Sequence, residues 1–383
     1  MAKRGKNRLM VVEEERDLET IDINVNVGPQ HPATHGVFRM VLTVSGEKVV
    51  DVVPHIGYMH RGAEKLSENA DYRQALIFQD RTDYLAQFNC EMCYVMALEK
   101  LAGIEVPERA EYIRVILSEL NRLTSHYMFA GAFGTDLGVY GTVYTYAFRE
   151  REFIQEVFEE ITGDRMMYGY FRPGGVVWDV PDNFKERVRA VCEKTRIGIN
   201  DIERLVTGNE IFVARSRDIG VISGEDAIDY GLSGPMLRAS GVPVDLRREE
   251  PYSIYDRFDF DIPVGERGDS YDRYLVRMEE MRQSLRIIEQ ALEQMPEGPI
   301  LPEKLPRRLR LPPGEVYMRT ENPRGEYGIY LVSKGGEKPY RLKIRSSCFC
   351  NLMALKKMTV GHYVADAVTI LGSVDIVLGE VDR

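Results

Sequence analysis

Apolar and polar residues alternate at Ile21, Ile23, Val25 and Val27, a two-residue period that puts every second side chain on one face of a strand. Residues 37–44 and 49–56 show similar patterning, and the Ser45-Gly46-Glu47 turn between them predicts that these strands pair. The first sixty residues therefore read as a small sheet. Beyond Arg61 the period changes. Ile113, Ile116, Leu117, Leu120 and Leu123 recur at helical spacing in a stretch that begins past Pro107, and similar periods run over residues 84–102, 146–162 and 184–206, which predicts a helical bundle. The stripe Leu275, Met278, Met281, Leu285, Ile288 and Leu292 predicts the longest helix, from about Ser270 to Met295, with core packing as the reason for the stripe. A connector rich in proline follows (Pro299, Pro302, Pro306, Pro312, Pro313), then β-like segments at residues 316–319, 328–332 and 340–344, and two short terminal helices.

The fold class is thus α+β, a central bundle of long helices with a small N-terminal β-sheet region and a C-terminal β/α region. Its expected units are residues 1–60, 61–297 and 298–383. A chain of 383 residues with 44% hydrophobic content can bury a large core and is long for one compact unit. Its net charge of −10 excludes a nucleic-acid binder, because phosphate contact needs a basic footprint. No window approaches the roughly 18 to 20 consecutive apolar residues of a membrane-spanning helix, and the mean hydropathy is −0.28, so membrane contact is expected to be indirect. Residues 1–17 start basic but offer only Leu9 to Val12 as an apolar run before a group of acids, too short for a signal peptide, and read as a solvated tail. Five scattered cysteines, an odd number, fit reduced thiols in a cytoplasmic protein.

Candidate chemistry is sparse. Only six histidines occur, and two of them, His31 and His35, share the loop GPQHPATHG. Its prolines and glycines fix the backbone without regular hydrogen bonding, so the imidazoles either point into a cavity or cap neighbouring backbone. Two histidines without a third ligand nearby make a weak metal signal. Cys90 and Cys93 form C-x-x-C, and Cys348 and Cys350 form C-x-C, which could close a tetrahedral zinc site. Phe88, Met92, Tyr94 and Val95 surround the first pair in a helical pattern, where free cysteine packs as a small hydrophobe. No glycine-rich phosphate loop, nucleophile elbow or metalloprotease helix appears.

Several long segments, collinear over nearly the whole chain, carry a family resemblance. They are NVGPQHPATHG (26–36), PHIGYMHRGAEK (54–65), RAEYIRVILSELNRLTSH (109–126), YAFREREFI (146–154), FRPGGV (171–176), LRASGVPVDLR (237–247), GERGDSYDRYLVRMEEMRQS (265–284), PRGEYGIYLVSKGG (323–336) and the terminal VDR. The chain resembles the D subunit, also called the 49-kDa subunit, of proton-translocating NADH:quinone oxidoreductase, respiratory complex I, a family related to nickel-iron hydrogenase large subunits. The resemblance implies a hydrogenase-large-subunit-like fold. The hydrogenase nickel motifs fall on residues 81–86 and 375–380, with Asp83, Ala86, Val377 and Glu380 where the four cysteines stand. Without thiolates a soft nickel site cannot form, so no metal is expected on this chain.

What the resemblance implies instead is a quinone site. Residues matching His35 and Tyr84 contact the bound headgroup, and the aspartate matching Asp136 pairs with the histidine. The terminal four-iron, four-sulfur cluster of the neighbouring B subunit would supply electrons, with His60 and Arg61 close to it; without the resemblance these two read as ordinary surface pairing. Subunits B, C, H and I are the implied partners, quinone the substrate, and the cytoplasmic face of the membrane the peripheral location. Two departures stand out. Many relatives have a histidine, linked to cluster protonation, at the position of Met167, and a helical insertion where this chain has its proline-rich connector. The shortening keeps open a related complex fed by ferredoxin or another reduced carrier, beside the further alternative of a non-catalytic scaffold holding a structural metal.

Overall fold

The computed structural model describes residues 21–139, 141–306 and 308–383; the tail read from residues 1–17 lies outside them. The predicted N-terminal strands are β1 (Ile23–Val27), β2 (Arg39–Ser45) and β3 (Lys48–His55), an antiparallel sheet in the order β1-β2-β3. Ser45 pairs with Lys48, so Gly46 and Glu47 alone make the turn, with Gly46 at φ 63. Met40, Leu42 and Val44 on β2 and Val49, Val50 and Val52 on β3 bury the inner face.

The middle of the chain is helical, as its periodicity predicts. α1 (Ala63–Asn69) and α2 (Leu76–Asp80) lead into α3 (Gln87–Ala102), α4 (Glu108–Asp136) and α5 (Thr142–Thr162). The short pair β4 (Phe171–Arg172) and β5 (Gly175–Val176) precedes α6 (Phe184–Val206). Four short helices, α7 (Glu210–Ser216), α8 (Gly224–Asp229), α9 (Pro235–Ala239) and α10 (Leu246–Glu249), reach α11 (Ser270–Gln294). The carboxylate of Asp269 accepts the Asp272 amide at 2.8 Å and caps the start of α11. The C-terminal part pairs β6 (Leu311–Asn322), β7 (Gly325–Gly336) and β8 (Arg341–Arg345), then ends in α12 (Ser347–Leu352), α13 (Leu355–Thr359), α14 (Val364–Val374) and α15 (Leu378–Asp382).

Three expectations change. The longest described helix is α4, at 29 residues against 25 for α11. Arg114, Glu119, Arg122 and His126 interrupt the apolar stripe of α4, yet all four are buried, so its helical pattern runs through charges that find partners inside. Pro312 and Pro313 belong to β6 rather than to a connector. β6 is the outer strand of its sheet, where a missing amide removes no ladder hydrogen bond on the open side. The terminal region holds four short helices where two were expected, because Val360–Tyr363 and Asp375–Val377 break what reads as continuous apolar sequence.

Two apolar cores result. One packs α3, α4, α5, α6 and α11 against Tyr327, Ile329, Leu331, Leu342 and Ile344 of β7 and β8. The other packs the β1–β3 sheet against Leu352, Ile370, Leu371 and Val381 of the terminal helices. No described helix is long and apolar enough to cross a membrane.

A chain of buried ionic groups ties α4 to its neighbours. Glu119 accepts from Arg122 at 3.1 Å, Arg247 at 3.2 Å, the Tyr255 hydroxyl at 2.7 Å and the Ser284 hydroxyl at 2.7 Å. Arg247 continues to Asp245 at 2.7 Å, and Arg238 reaches Glu321 at 2.8 Å, Asp245 at 3.7 Å and Glu280, which holds His126 at 2.9 Å. Burial works against the charged form of Glu119, but the Arg122 and Arg247 guanidiniums outweigh it and hold the carboxyl down to about 2. Asp245 is likewise held down to about 2 by Arg247 and Arg238 against the same burial. Their contribution to stability is present above the unfolded carboxyl range near pH 4 and is lost as pH falls toward 2.

Removing one member of such a network leaves uncompensated buried charge. Arg238→Met, which removes the cation shared by Glu280, Glu321 and Asp245, should cost about 3 to 5 kcal/mol. Urea unfolding of the purified chain followed by circular dichroism measures it, and a loss below about 1 kcal/mol contradicts the network's role.

Candidate functional site

Loop residues 28–36, 81–86 and 375–377 converge with the C-terminal end of α4 around a cavity of about 260 Å³. Pro32, His35, Tyr84, Leu85, Met128, Ala132, Thr135, Asp136, Tyr144, Asp375, Ile376 and Val377 line it. Its walls are mostly apolar, and a void of about 150 Å³ is already enough to take up benzene. The space therefore suits one ring.

His35 reaches this cavity because of its backbone. Pro32–Thr34 form a single 3-10 turn, and His35 ends it in the left-handed conformation, φ 50 and ψ 38. A residue without glycine's freedom is held there by its surroundings: the Thr34 hydroxyl donates to His31 O at 2.7 Å, and the Gln30 amide to Gly36 O at 3.2 Å. The two loop histidines separate in role. His31 accepts the Ala33 amide on Nδ1 at 3.2 Å and caps the turn, whereas His35 Nε2 meets Asp136 Oδ2 at 2.6 Å. Asp136 is the last residue of α4, and α14 passes close by. A Cβ on Gly372 would lie 2.5 Å from Asp136 Oδ2, so only glycine lets α14 approach without displacing the carboxylate. Burial lowers the affinity of the His35 ring for a proton, but the hydrogen bond to Asp136 and the charges of Asp136 and Asp375 outweigh it, and the net shift is upward.

Tyr84 sits opposite, on the loop between α2 and α3. Gly379 in α15 makes room for it, since a Cβ there would meet Thr82 O at 2.8 Å and the Tyr84 ring at 3.1 Å. The Tyr84 hydroxyl has no hydrogen-bond partner among the described residues, while burial and the Asp83 charge push its pKa up. It remains a neutral donor.

Beneath the cavity lies a cation that sequence reasoning did not find. Arg324, in the β6–β7 turn and fully buried, donates from Nη1 to Asp83 Oδ2 at 3.0 Å and to the Ser125 hydroxyl at 2.9 Å, and from Nε to Asp375 O at 3.0 Å. Burial pushes the Asp83 carboxyl up to about 6, with Arg324 opposing and the Glu380 charge assisting. Glu380 accepts from the Ser347 hydroxyl at 2.8 Å and from the Cys348 thiol at 3.1 Å. Thus Asp83 and Glu380, at two of the positions matched to nickel cysteines, are engaged by an arginine, a serine and a thiol. Arg324 and Asp375 carry no local signal that singles them out. Asp375 stands first in the segment 375–380 on which the second hydrogenase nickel motif falls, and that was the available clue.

The cysteines lie apart in role. The Cys93 thiol donates to Met318 O at 3.4 Å and its pKa is pushed up to about 12 by burial, and Cys90 Sγ accepts from Asn322 at 3.5 Å. Such thiols stay protonated. Among the described residues no cluster of three or more His, Cys, Asp or Glu side chains is placed to hold a metal ion.

His60 and Arg61 stand outside the cavity. His60 Nδ1 donates to Asp382 O at 2.7 Å, the Asp382 carboxylate takes the amides of Gly57 at 2.8 Å and Met59 at 2.7 Å, and Arg61 donates to Arg81 O. The exposed segment is therefore fastened to α15 on one side and to the Tyr84 loop on the other.

Asp136→Asn removes the charge that keeps the His35 proton and should lower the pKa of that ring. Carbethoxylation of His35 by diethyl pyrocarbonate, followed by peptide mass against pH, would show its midpoint moving to lower pH. An unmoved midpoint would mean that Asp136 does not control the ring.

Comparison with known proteins bears on this geometry. Residues 136–308 and 303–383 match the family model described as respiratory-chain NADH dehydrogenase, 49 Kd subunit. The chain is 52% identical over 366 residues to the D subunit of an NADH-quinone oxidoreductase from Dehalococcoides mccartyi, a match covering 96% of this chain and all of the relative. The corresponding D subunit from Carboxydothermus hydrogenoformans is 49% identical over 365 residues, covering 95% of this chain and all of its own length. That of Magnetococcus marinus is 48% identical, with 94% and 96% of the two chains covered.

Proposed function

The chain belongs to the 49 Kd subunit family of respiratory-chain NADH dehydrogenase, and on that premise we propose that its cavity holds the headgroup of a quinone during reduction to quinol. The observation that carries this reading is the pairing of two unlike hydrogen-bond groups in one mostly apolar cavity, the Tyr84 hydroxyl with no partner among the described residues and the His35 ring held by Asp136.

Reduction of a quinone takes two electrons and two protons, and negative charge grows on the carbonyl oxygens as electrons arrive. Groups that donate there, fixed in advance and shielded from water, stabilise that charge. Tyr84 donates from its phenol to one oxygen. His35, kept protonated by Asp136 beyond its ordinary range, serves the other and has a proton to give. Electrons come from outside this chain, from the terminal iron-sulfur cluster of the B subunit, docked against the segment that carries His60 and Arg61. A positive charge at Arg61 favours the reduced state of a cluster beside it. Subunits B, C, H and I complete the surroundings, and the assembly rests on the cytoplasmic face of the membrane.

Tyr84→Phe deletes one hydroxyl and keeps the ring volume, so folding and assembly should change little. Loss of a donor to developing charge should cost about 1.5 to 4 kcal/mol, or roughly ten- to a thousandfold in kcat/KM for quinone. Electron transfer to artificial acceptors that bypass the cavity should stay near normal in the same assembled preparation. Full quinone turnover in this variant would remove Tyr84 from the site.

A further inference from the structure

The loop that presents Tyr84 is held at both ends by two buried carboxyl groups that lie outside the cavity. Asp80, the last residue of α2, is 1% exposed, and Glu91, in the second turn of α3, is fully buried. Both reach the same backbone segment. Asp80 Oδ2 accepts the Gly169 amide at 3.1 Å, and Glu91 Oε2 accepts the Tyr170 amide at 3.0 Å and the Phe171 amide at 2.7 Å. Their second oxygens, Asp80 Oδ1 and Glu91 Oε1, are buried and have no hydrogen-bond partner. Ionised carboxylates can only accept, so one proton carried by the pair is the donor that the burial of these two oxygens calls for.

The surrounding charges do not replace that proton. Arg81, Arg172, Arg114 and the Tyr168 phenol face the pair from the elements around it. Arg81 donates to Ile77 O at 3.0 Å, Arg172 to Phe171 O at 3.2 Å and Arg114 to Glu99 at 3.1 Å, while Tyr168 donates to Arg165 O at 3.1 Å. None of them forms a hydrogen bond with either carboxyl. Burial first, then the neighbouring Glu91 charge, raises the Asp80 carboxyl well above its ordinary range, and burial raises Glu91 as well. A carboxyl raised in the folded state keeps its proton at neutral pH and releases it only as pH rises through the raised value.

We propose that Asp80 and Glu91, joined by one shared proton, are positioning residues for Tyr84, clamping the end of α2 to the start of α3 and both to residues 169–171. Loss of the proton leaves two like charges facing each other in an apolar interior, which forces them apart. The loop of residues 81–86 spans the two, so their separation moves the phenol away from the ligand. Quinone reduction then falls on the alkaline side through this pair, independently of the His35 proton. The inference rests on Tyr84 serving the quinone, as proposed above.

The test uses the assembled membrane complex and the ratio of NADH:quinone to NADH:ferricyanide activity from neutral to alkaline pH. In the unmodified protein this ratio should fall by about tenfold per pH unit beyond the release of the proton. Asp80→Asn supplies an amide that donates to Glu91 and accepts from Gly169 at every pH, so the part of the fall due to this pair should vanish and only the part set by the His35 proton should remain; Glu91→Gln serves as the second, independent variant. Tyr84→Phe should also lose the pair's part of the fall in whatever quinone activity remains, keeping only that set by the His35 proton, which needs no change at the pair itself. A ratio in Asp80→Asn or Glu91→Gln that falls as in the unmodified protein overturns the proposal, as does an unmodified protein with no fall or a residual Tyr84→Phe activity that keeps the pair's part of it. Full quinone turnover in Tyr84→Phe overturns the assignment of Tyr84 to the quinone instead, and the outcomes are thereby told apart.

Discussion

The walls of the cavity are fastened to one buried cation. Arg324 bonds the Tyr84 loop through Asp83, the middle of α4 through Ser125, and the turn between α14 and α15 through both the backbone and the side chain of Asp375. It is held in turn by Asn351, which donates to its carbonyl at 2.9 Å. A guanidinium can do this because it presents five donors in a rigid plane. It can stay charged there because Asp83 and Asp375 stand against it, and breaking a buried pair costs far more than making one gains. Three segments distant in sequence are thus fixed by one charge, and the cavity is the space they leave.

This explains which parts of the molecule were legible in the sequence. Alternation in β1–β3 and the stripe of α11 are local signals, and they gave the elements nearly to the residue. The extent of α4 was less readable because Arg114, Glu119, Arg122 and His126 look like surface positions until their partners on α3, α10, α11 and β6 are known. The pairing of His35 with Asp136, 101 residues apart, could not come from spacing at all. It came from resemblance, which named the residues while leaving their geometry open. Arg324 and Asp375 were given no role by either route, although the resemblance placed a matched motif on Asp375. Asp83 and Arg324 lie 241 residues apart, and no periodic pattern encodes a contact at that distance.

Laid on the resemblance to nickel-iron hydrogenase large subunits, the same pocket has polar organic chemistry at positions where that resemblance implies a soft metal site. Thiolates hold nickel because sulfur is soft and easily deprotonated beside a metal. Asp83 and Glu380 put hard oxygens at two of those positions, while Ala86 and Val377 put hydrocarbon at the other two. The oxygens are then consumed by Arg324, Ser347 and Cys348, and the hydrocarbon leaves an apolar wall that includes Val377. An apolar wall of this kind suits an aromatic ring, in keeping with the proposed headgroup site.

Charge balance then decides what the cavity can do with protons. Asp83, Asp375 and Glu380 gather around Arg324, so full ionisation would leave the group negative, and burial relieves part of this by pushing Asp83 up to about 6. Asp375 also acts across the cavity on His35, where its charge adds to that of Asp136 in favouring the imidazolium. On the proposed reading, a quinone accepting electrons becomes a further negative centre beside these carboxylates. That addition favours protonation of whichever group titrates most readily, and the candidates are His35, held above its ordinary range, and Asp83, held near neutrality. The cation that fixes the geometry of the cavity therefore also sets how much negative charge the cavity accepts before it must take up a proton.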